Sequence, residues 1–167
     1  MSDVESGEIL IADYQGIYVI KMSGDVRLNL CIAFDDCIES LFAREDFQSV
    51  FFDLSCAENL DSTTLGLIAK VAIKCQTKSL PQPMVHCKNS GIIRLLTTMG
   101  IDEICRLVDQ NPVAYEESND FQRLKAASNP DEDQVKAKVL ESHHILMALN
   151  ESNRQTFKDL VQTLKCV

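Results

Sequence analysis

The stretch Ser49–Leu54, SVFFDL, constrains the fold more than any other part of this chain. A short, dense apolar run followed by apolar residues at helical spacing is the pattern of a central strand feeding a helix. Leu65, Ile68, Ala69, Ala72 and Cys75 supply that helix. The same order recurs on both sides. Upstream, ILIADYQGIYVIKMSG (Ile9–Gly24) gives two β-prone runs around Gln15-Gly16, a hairpin signal. After a turn expected at Gly24-Asp25, the residues Leu28, Cys31, Ile32, Asp35, Ile38, Leu41 and Phe42 fall at steps of mostly three and four, which predicts a helix. Downstream of Pro81 and Pro83, MVHC (Met84–Cys87) reads as a short strand. Asn89-Ser90 caps a helix through Ile92, Leu96 and Met99 that Gly100 stops. EICRLV (Glu103–Val108) is expected as a last strand and DFQRLKAA (Asp120–Ala127) as a last helix. A hairpin followed by alternating helices and strands specifies an α/β fold, a mixed or parallel sheet covered by helices.

The last forty residues follow a different logic. Asn129 is placed as a cap, Pro130 at the first helical position and acids in the first turn. From Val135 the pattern is helical almost to the end, with Val139, Ser142, Leu146, Leu149, Asn153, Thr156, Leu160 and Thr163 in one stripe. The expectation is a domain over 1–127 and a C-terminal helical extension over 128–167, its helix spanning about 130–164. A rod of thirty helical residues is roughly 45 Å long and overhangs a small sheet. Polar residues interrupt its seam, which argues against a strong coiled coil, and Asn150–Asn153 offers a place to break. The helix either packs back on its own domain or mediates a homodimer or partner contact.

Composition narrows the function. The chain has 167 residues, 46 % of them hydrophobic, and a net charge of -9, with 19 acidic against 11 basic side chains in residues 1–127. No basic cluster favours nucleic acid or an anionic membrane, and no apolar run approaches the roughly 20 residues of a membrane span. Residues 1–8 lack the apolar stretch of a secretory leader, and the seven cysteines, odd in number and scattered, are expected as reduced thiols of a cytoplasmic protein. His86 sits in a strand pattern and has a structural role. His143 and His144 lack the spacing of a helical zinc pair, so no metal is expected. Neither nucleotide-cradling glycine motif is present, no cofactor is expected, and Asp53, Glu58 and Asp61 lack a nucleophile–base pair beside them, so the chain is read as no enzyme.

What remains is DLSCAENLDSTTLG, Asp53–Gly66, where three hydroxyl residues, Ser62, Thr63 and Thr64, stand at a helix start. Asp61 or Ser62 suits the cap. The cap role explains one of them; the others, in the first turn, are expected to face outward and to reach an external phosphoryl donor. A phosphate there meets free amides and the positive helix end, and adds about two negative charges beside Asp53, Glu58 and Asp61. That makes the turn a workable off-switch for binding, alongside the plain reading of ordinary caps.

Three motifs carry a family resemblance: Gly24–Leu28 (GDVRL) before the first helix, Asp53–Ser55 (DLS) closing a strand, and Leu60–Leu67 (LDSTTLGL) opening the second helix. Over roughly residues 7–127 the chain resembles the STAS domain, in particular bacterial anti-sigma factor antagonists. The resemblance implies a small mixed β-sheet with helices mainly on one face, here with a long C-terminal helix added. It further implies that the unphosphorylated protein binds an anti-sigma factor and releases a sigma factor. A GHKL-type serine kinase, often the anti-sigma factor itself, then phosphorylates the antagonist, and a PP2C-like phosphatase resets it. The acceptor position falls on Thr63, with Ser62 and Thr64 as rivals. Partner contact is implied through Asp25, Arg27, Asp53, Ser55, Glu58, Asn59, Asp61, Ser62, Thr63 and Leu65. The alternative is a STAS scaffold of a stress-signalling complex whose C-terminal helix drives oligomerisation.

Overall fold

The computed structural model describes residues 6–112 and 121–166. Strands β1 (Glu8–Tyr14) and β2 (Ile17–Val26) form the expected antiparallel hairpin. Its two-residue turn places Gln15 at φ 56° and Gly16 at φ 93°, the left-handed pair that matches the twist of the flanking strands. Helix α1 (Cys31–Phe42) follows a short 3-10 turn, and leads to β3 (Ser49–Leu60). Helix α2 (Ser62–Thr77) leads to β4 (Met84–His86), and α3 (Ser90–Thr98) to β5 (Arg106–Val108). A two-residue strand, β6 (Gln122–Arg123), pairs antiparallel with β1. The sheet order is β5-β4-β3-β2-β1-β6, with β2, β3, β4 and β5 mutually parallel.

The core is set by alternation along the central strands. Ile20 and Met22 of β2 and Val50, Phe52 and Leu54 of β3 point into one apolar cluster, where Phe34 and Ile38 of α1 and Leu65, Leu67, Ile68 and Val71 of α2 meet them. Phe51 and Asp53 are buried too, but on the other parity of β3.

Four expectations are corrected. The turn at Gly24-Asp25 does not occur, and the strand expected over Ser49–Leu54 runs on to Leu60. Gly24, at φ 70°, lets β2 bulge instead of turn, so that β2 and β3 stay paired through Val26 and Leu60 across two register shifts. The last strand is shorter than Glu103–Val108, because Ile101–Glu103 forms a 3-10 turn after Gly100. Gln122 and Arg123 of the expected helix Asp120–Ala127 join the free edge of β1, and no helix forms there among the described residues, Asp120 lying outside them.

The tail, expected as a helix over about 130–164 with Asn150–Asn153 as a place to break, is two helices, α4 (Glu132–Leu149) and α5 (Glu151–Lys165), parted at Asn150. Asn150 is extended (φ -165°, ψ 166°) and its side chain accepts from the Asn153 amide, which starts α5 afresh. The corner is pinned to the end of α3: Asn153 Nδ2 donates to Met99 O at 2.8 Å and to Leu146 O at 2.7 Å, and Asn150 Nδ2 donates to Met99 O at 3.3 Å. The hairpin therefore folds back onto its own chain, and α4 lies against α2 and α1. Replacing Asn153 with alanine leaves the buried Leu146 carbonyl without this donor and the Met99 carbonyl with Asn150 alone. It is expected to cost about 1–3 kcal/mol, read as a lower urea midpoint at unchanged slope.

Candidate functional site

The hydroxyl cluster opens α2 where β3 ends. Asp61 is the cap: its Oδ1 accepts from Thr64 N at 2.9 Å and from Thr64 Oγ1 at 2.7 Å. Its own amide donates to Val26 O at 3.2 Å, which ties the helix start to the end of β2. Beside it Arg27 bonds Asp25 at 2.6 Å, and Asn59 Nδ2 donates to Asp25 Oδ1 at 3.3 Å. The Arg27 hydrogen bond holds the Asp25 carboxyl below its usual range. Asp25, Arg27, Asn59 and Asp61 thus form one polar rim, with Glu58 exposed next to them. Asn89, the cap of α3, reaches the Glu58 carbonyl at 3.5 Å and closes the rim on the α3 side.

Asp53 and Ser55 are not brought to this rim. With Ser55–Leu60 extended, Asp53 lies roughly 20 Å or more back along the sheet from Asp61. It accepts from Ser55 N at 3.0 Å and Ser55 Oγ at 2.6 Å, and stands in register beside Lys21. Leu65 belongs to the core, 1 % exposed.

The expected outward-facing hydroxyls are not outward. Thr63 is 3 % and Thr64 2 % exposed, and only Asp61 and Ser62 of this turn retain partial exposure. The cause is α4. Ser62 Oγ lies 2.8 Å from His143 Nε2, while His143 Nδ1 lies 2.6 Å from the Val139 carbonyl. A carbonyl only accepts, so Nδ1 carries the proton; in the neutral ring Nε2 is then the acceptor and Ser62 the donor. The His143 ring, 1 % exposed, meets Phe157 of α5 edge-on at 4.9 Å. Four residues on, Gly66 faces Ser142: a Cβ at Gly66 would stand 2.6 Å from Ser142 Cβ, so only glycine admits α4 this close. Four further on, Lys70 binds Glu141 at 2.5 Å and Asp35 of α1 at 2.7 Å. Ser62, Gly66 and Lys70 form one helical stripe, and Thr63 shares its side, three residues before Gly66 and seven before Lys70.

Asp35 is the centre of this contact. Its carboxylate, 1 % exposed, takes Lys70 on one oxygen and Lys138 of α4 on the other. Burial would push its carboxyl up, but the hydrogen bonds from Lys138 and Lys70, with their charges, hold it below the usual carboxylate range. The Asp35 hydrogen bond raises Lys138 in turn.

Chemically, the Ser62–His143 pair supplies the hydroxyl and imidazole that the sequence reading found missing. It is a latch rather than a nucleophile and base, since the ring is sealed beneath Phe157 and neither residue lines the groove at α4 or the two smaller cavities. Among the described residues no group of three or more His, Cys, Asp and Glu is placed to hold a metal, and no helix is long and apolar enough to cross a membrane. His86 is buried, its Nδ1 3.2 Å from Val108 O. The Cys105 thiol is pushed up to about 12 by burial.

The STAS domain family matches residues 8–112, from the first strand to just beyond the last parallel one. The chain belongs to the STAS domain family. Among solved structures, this STAS chain is similar to an anti-sigma factor antagonist from Mycobacterium paratuberculosis, at 22 % identity and a TM-score of 0.53, over 66 % of this chain and 92 % of that one. It is also similar to the anti-sigma factor antagonist SpoIIAA in its unphosphorylated form, at 12 % identity and a TM-score of 0.52, over 62 % of this chain and 89 % of that one. These likenesses are of fold. Among curated proteins none matches the chain. The α4–α5 hairpin lies outside the span that the STAS family matches.

Sequence reasoning missed His143, Lys138 and Glu141 as neighbours of the site. One signal was present: Asp35 occupies an apolar position of the first helical stripe, and a charge there calls for a buried partner. Because the Asp35 carboxyl is depressed, its contribution is present above the ordinary aspartate range near 3.9 and lost as pH falls through its lower folded value. Asp35→Asn should cost about 3 kcal/mol at neutral pH, and the gap between variant and natural chain should close in denaturation curves taken at progressively lower pH.

Proposed function

We propose that this STAS protein is an anti-sigma factor antagonist acting in the cytoplasm. In this reading the unphosphorylated chain binds an anti-sigma factor, freeing a sigma factor, and phosphorylation in the first turn of α2 turns binding off. The observation that carries it is the Asp61–Gly66 motif opening α2 beside the polar rim of Asp25, Arg27, Glu58 and Asn59, within a STAS fold. A net charge of -9 suits a partner with a basic docking face and neither nucleic acid nor an anionic membrane. Thr63 is the first choice of acceptor. Ser62 and Thr64 engage their hydroxyls with His143 and Asp61, which favours Thr63 over both. A phosphate on Thr63 would stand at the N-terminus of α2, stabilised by its amides and repelled by Asp61. A GHKL-type serine kinase, which can be the anti-sigma factor itself, fits as the donor enzyme, and a PP2C-like phosphatase as the reset.

The test is to incubate the full chain with ATP and its co-purifying kinase and to map phosphate over Asn59–Ile68. Thr63→Ala should keep the partner complex and take no phosphate there. The phosphorylated natural chain should bind at least about tenfold more weakly, a loss of some 1.4 kcal/mol. Unchanged labelling of Thr63→Ala, or equal binding of the phosphorylated and unphosphorylated chains, would sink the proposal.

A second reading, a STAS scaffold assembling through its C-terminal hairpin into a homodimer or larger complex, is favoured by one feature. An open apolar groove of about 830 Å3 runs between α1, α4 and α5, and Leu28 and Leu160 on it are 44 % and 41 % exposed. The mass of the full chain in solution distinguishes the two: a large oligomer that dissociates on Leu160→Glu favours the scaffold.

A further inference from the structure

The span that the STAS family matches ends at residue 112, yet α4 lies against α1 and α2, and its contact mixes apolar and polar parts. Of the 18 residues of α4 only Ser142, His143 and Leu146 are buried, two of them polar. The contact holds through Leu146 and the partly buried Val135, Ile145, Met147 and Leu149 against the core, and through the Ser62–His143 hydrogen bond, the close approach at Gly66, and the Asp35, Lys70, Lys138 and Glu141 charges. Burial of apolar surface, at about 25 cal/mol per Å2, is what makes a helix hard to remove. The hydrogen bonds of this contact and its outer charges, Lys138 and Glu141 at 26 % and 38 % exposure, are ones that water can replace on release. At the same time this contact runs along the side of α2 that Thr63 shares, and Thr63 is 3 % exposed there.

We propose that the outer side of α1 and α2 is an interaction surface whose resident occupant is the chain's own α4–α5 hairpin, and that the hairpin gates Thr63. With α4 docked, Ser62 is bound to His143 and no phosphoryl donor reaches the next residue in line. With α4 released, the stripe Ser62, Gly66 and Lys70 and the Asp35 carboxylate are open together. The kind of partner that takes the place of α4 follows from what α4 presents: a lysine for Asp35, an acid for Lys70 three residues later, and a small residue against Gly66 one further on, as in Lys138, Glu141 and Ser142. A helix with that spacing displaces the hairpin by exchange of like for like. The regulatory meaning of the gate rests on Thr63 being the acceptor; the closure itself does not.

Thiol labelling of the full chain tests the gate without any kinase. In a Thr63→Cys variant, iodoacetamide labelling is followed peptide by peptide by mass spectrometry, with exposed Cys56 as the open reference and buried Cys105 as the control for global unfolding. The thiol at position 63 should label about 100-fold more slowly than Cys56, as for a group reached only through local opening. Adding Ser142→Trp, which wedges α4 away from Gly66, should raise that rate about tenfold or more while Cys105 stays silent. Lys138→Glu, on the rim of the contact at 26 % exposure, should do the same by repulsion from Asp35 and Glu141, and it decides the matter if the tryptophan variant also exposes Cys105. Labelling at the Cys56 rate with α4 undisturbed, or no response to Lys138→Glu, overturns the gate. Ungated labelling together with phosphate on Thr63 removes only the gate; a working gate on a chain never phosphorylated removes only the switch.

Discussion

One buried carboxylate joins the elements that surround the candidate site. Asp35 of α1 binds Lys70 of α2 and Lys138 of α4, so that three helices share a single charge centre. A carboxylate that is 1 % exposed is tolerable only with such partners, because an unpaired charge in that position would carry a desolvation penalty of several kcal/mol. The pairing orients α2 against α1, and it also gives α4 its address. Everything else at the site follows from that address. Ser142 comes against Gly66, and His143 reaches Ser62 in the first turn of α2.

This arrangement gives the hydroxyl cluster two faces of meaning. Locally, Asp61 and Thr64 form a helix cap that any helix start would welcome, with the Asp61 carboxylate taking both the amide and the hydroxyl of Thr64. Globally, the same turn is the meeting point of the sheet rim, through Asp25, Arg27 and Asn59, and of the C-terminal hairpin, through His143. A chemical change in the turn is therefore felt on both sides. The added charge of a phosphate would disturb the acidic rim, and its bulk would disturb the packing of α4. In the proposed reading, a partner docked on the rim and the folded-back tail would be coupled through this one helix start by mass action.

Much of the fold was legible because its signals are local. Period-two and period-3.6 patterns identified the hairpin, the central strand and the first three helices, and Asn89 and Gly100 bounded α3 as caps do. The misreadings share a cause. Gly24 looked like a turn, yet its positive φ serves a bulge that keeps β2 beside β3, and this continued pairing turned the polar run Ser55–Leu60 into strand. Gln122 and Arg123 carry no strand pattern of their own; they became β6 because β1 had an open edge to complete. In the tail the break falls within Asn150–Asn153, where the sequence offered one, because Asn150 and Asn153 find the Met99 carbonyl at the end of α3.

The sequence by itself determined the alternation of strands and helices, the resemblance to STAS domains, and the placing of Ser62, Thr63 and Thr64 at a helix start. These depend on residues a few positions apart, whose spacing the chain carries openly. Only the tertiary structure decided that the hydroxyls are closed rather than offered. That outcome rests on contacts such as Ser62 with His143, 81 residues apart, and Asp35 with Lys138, 103 residues apart. No periodicity records a contact of that kind, because it arises from where two finished helices come to lie, and that is set by charge pairing and by the single missing Cβ at Gly66.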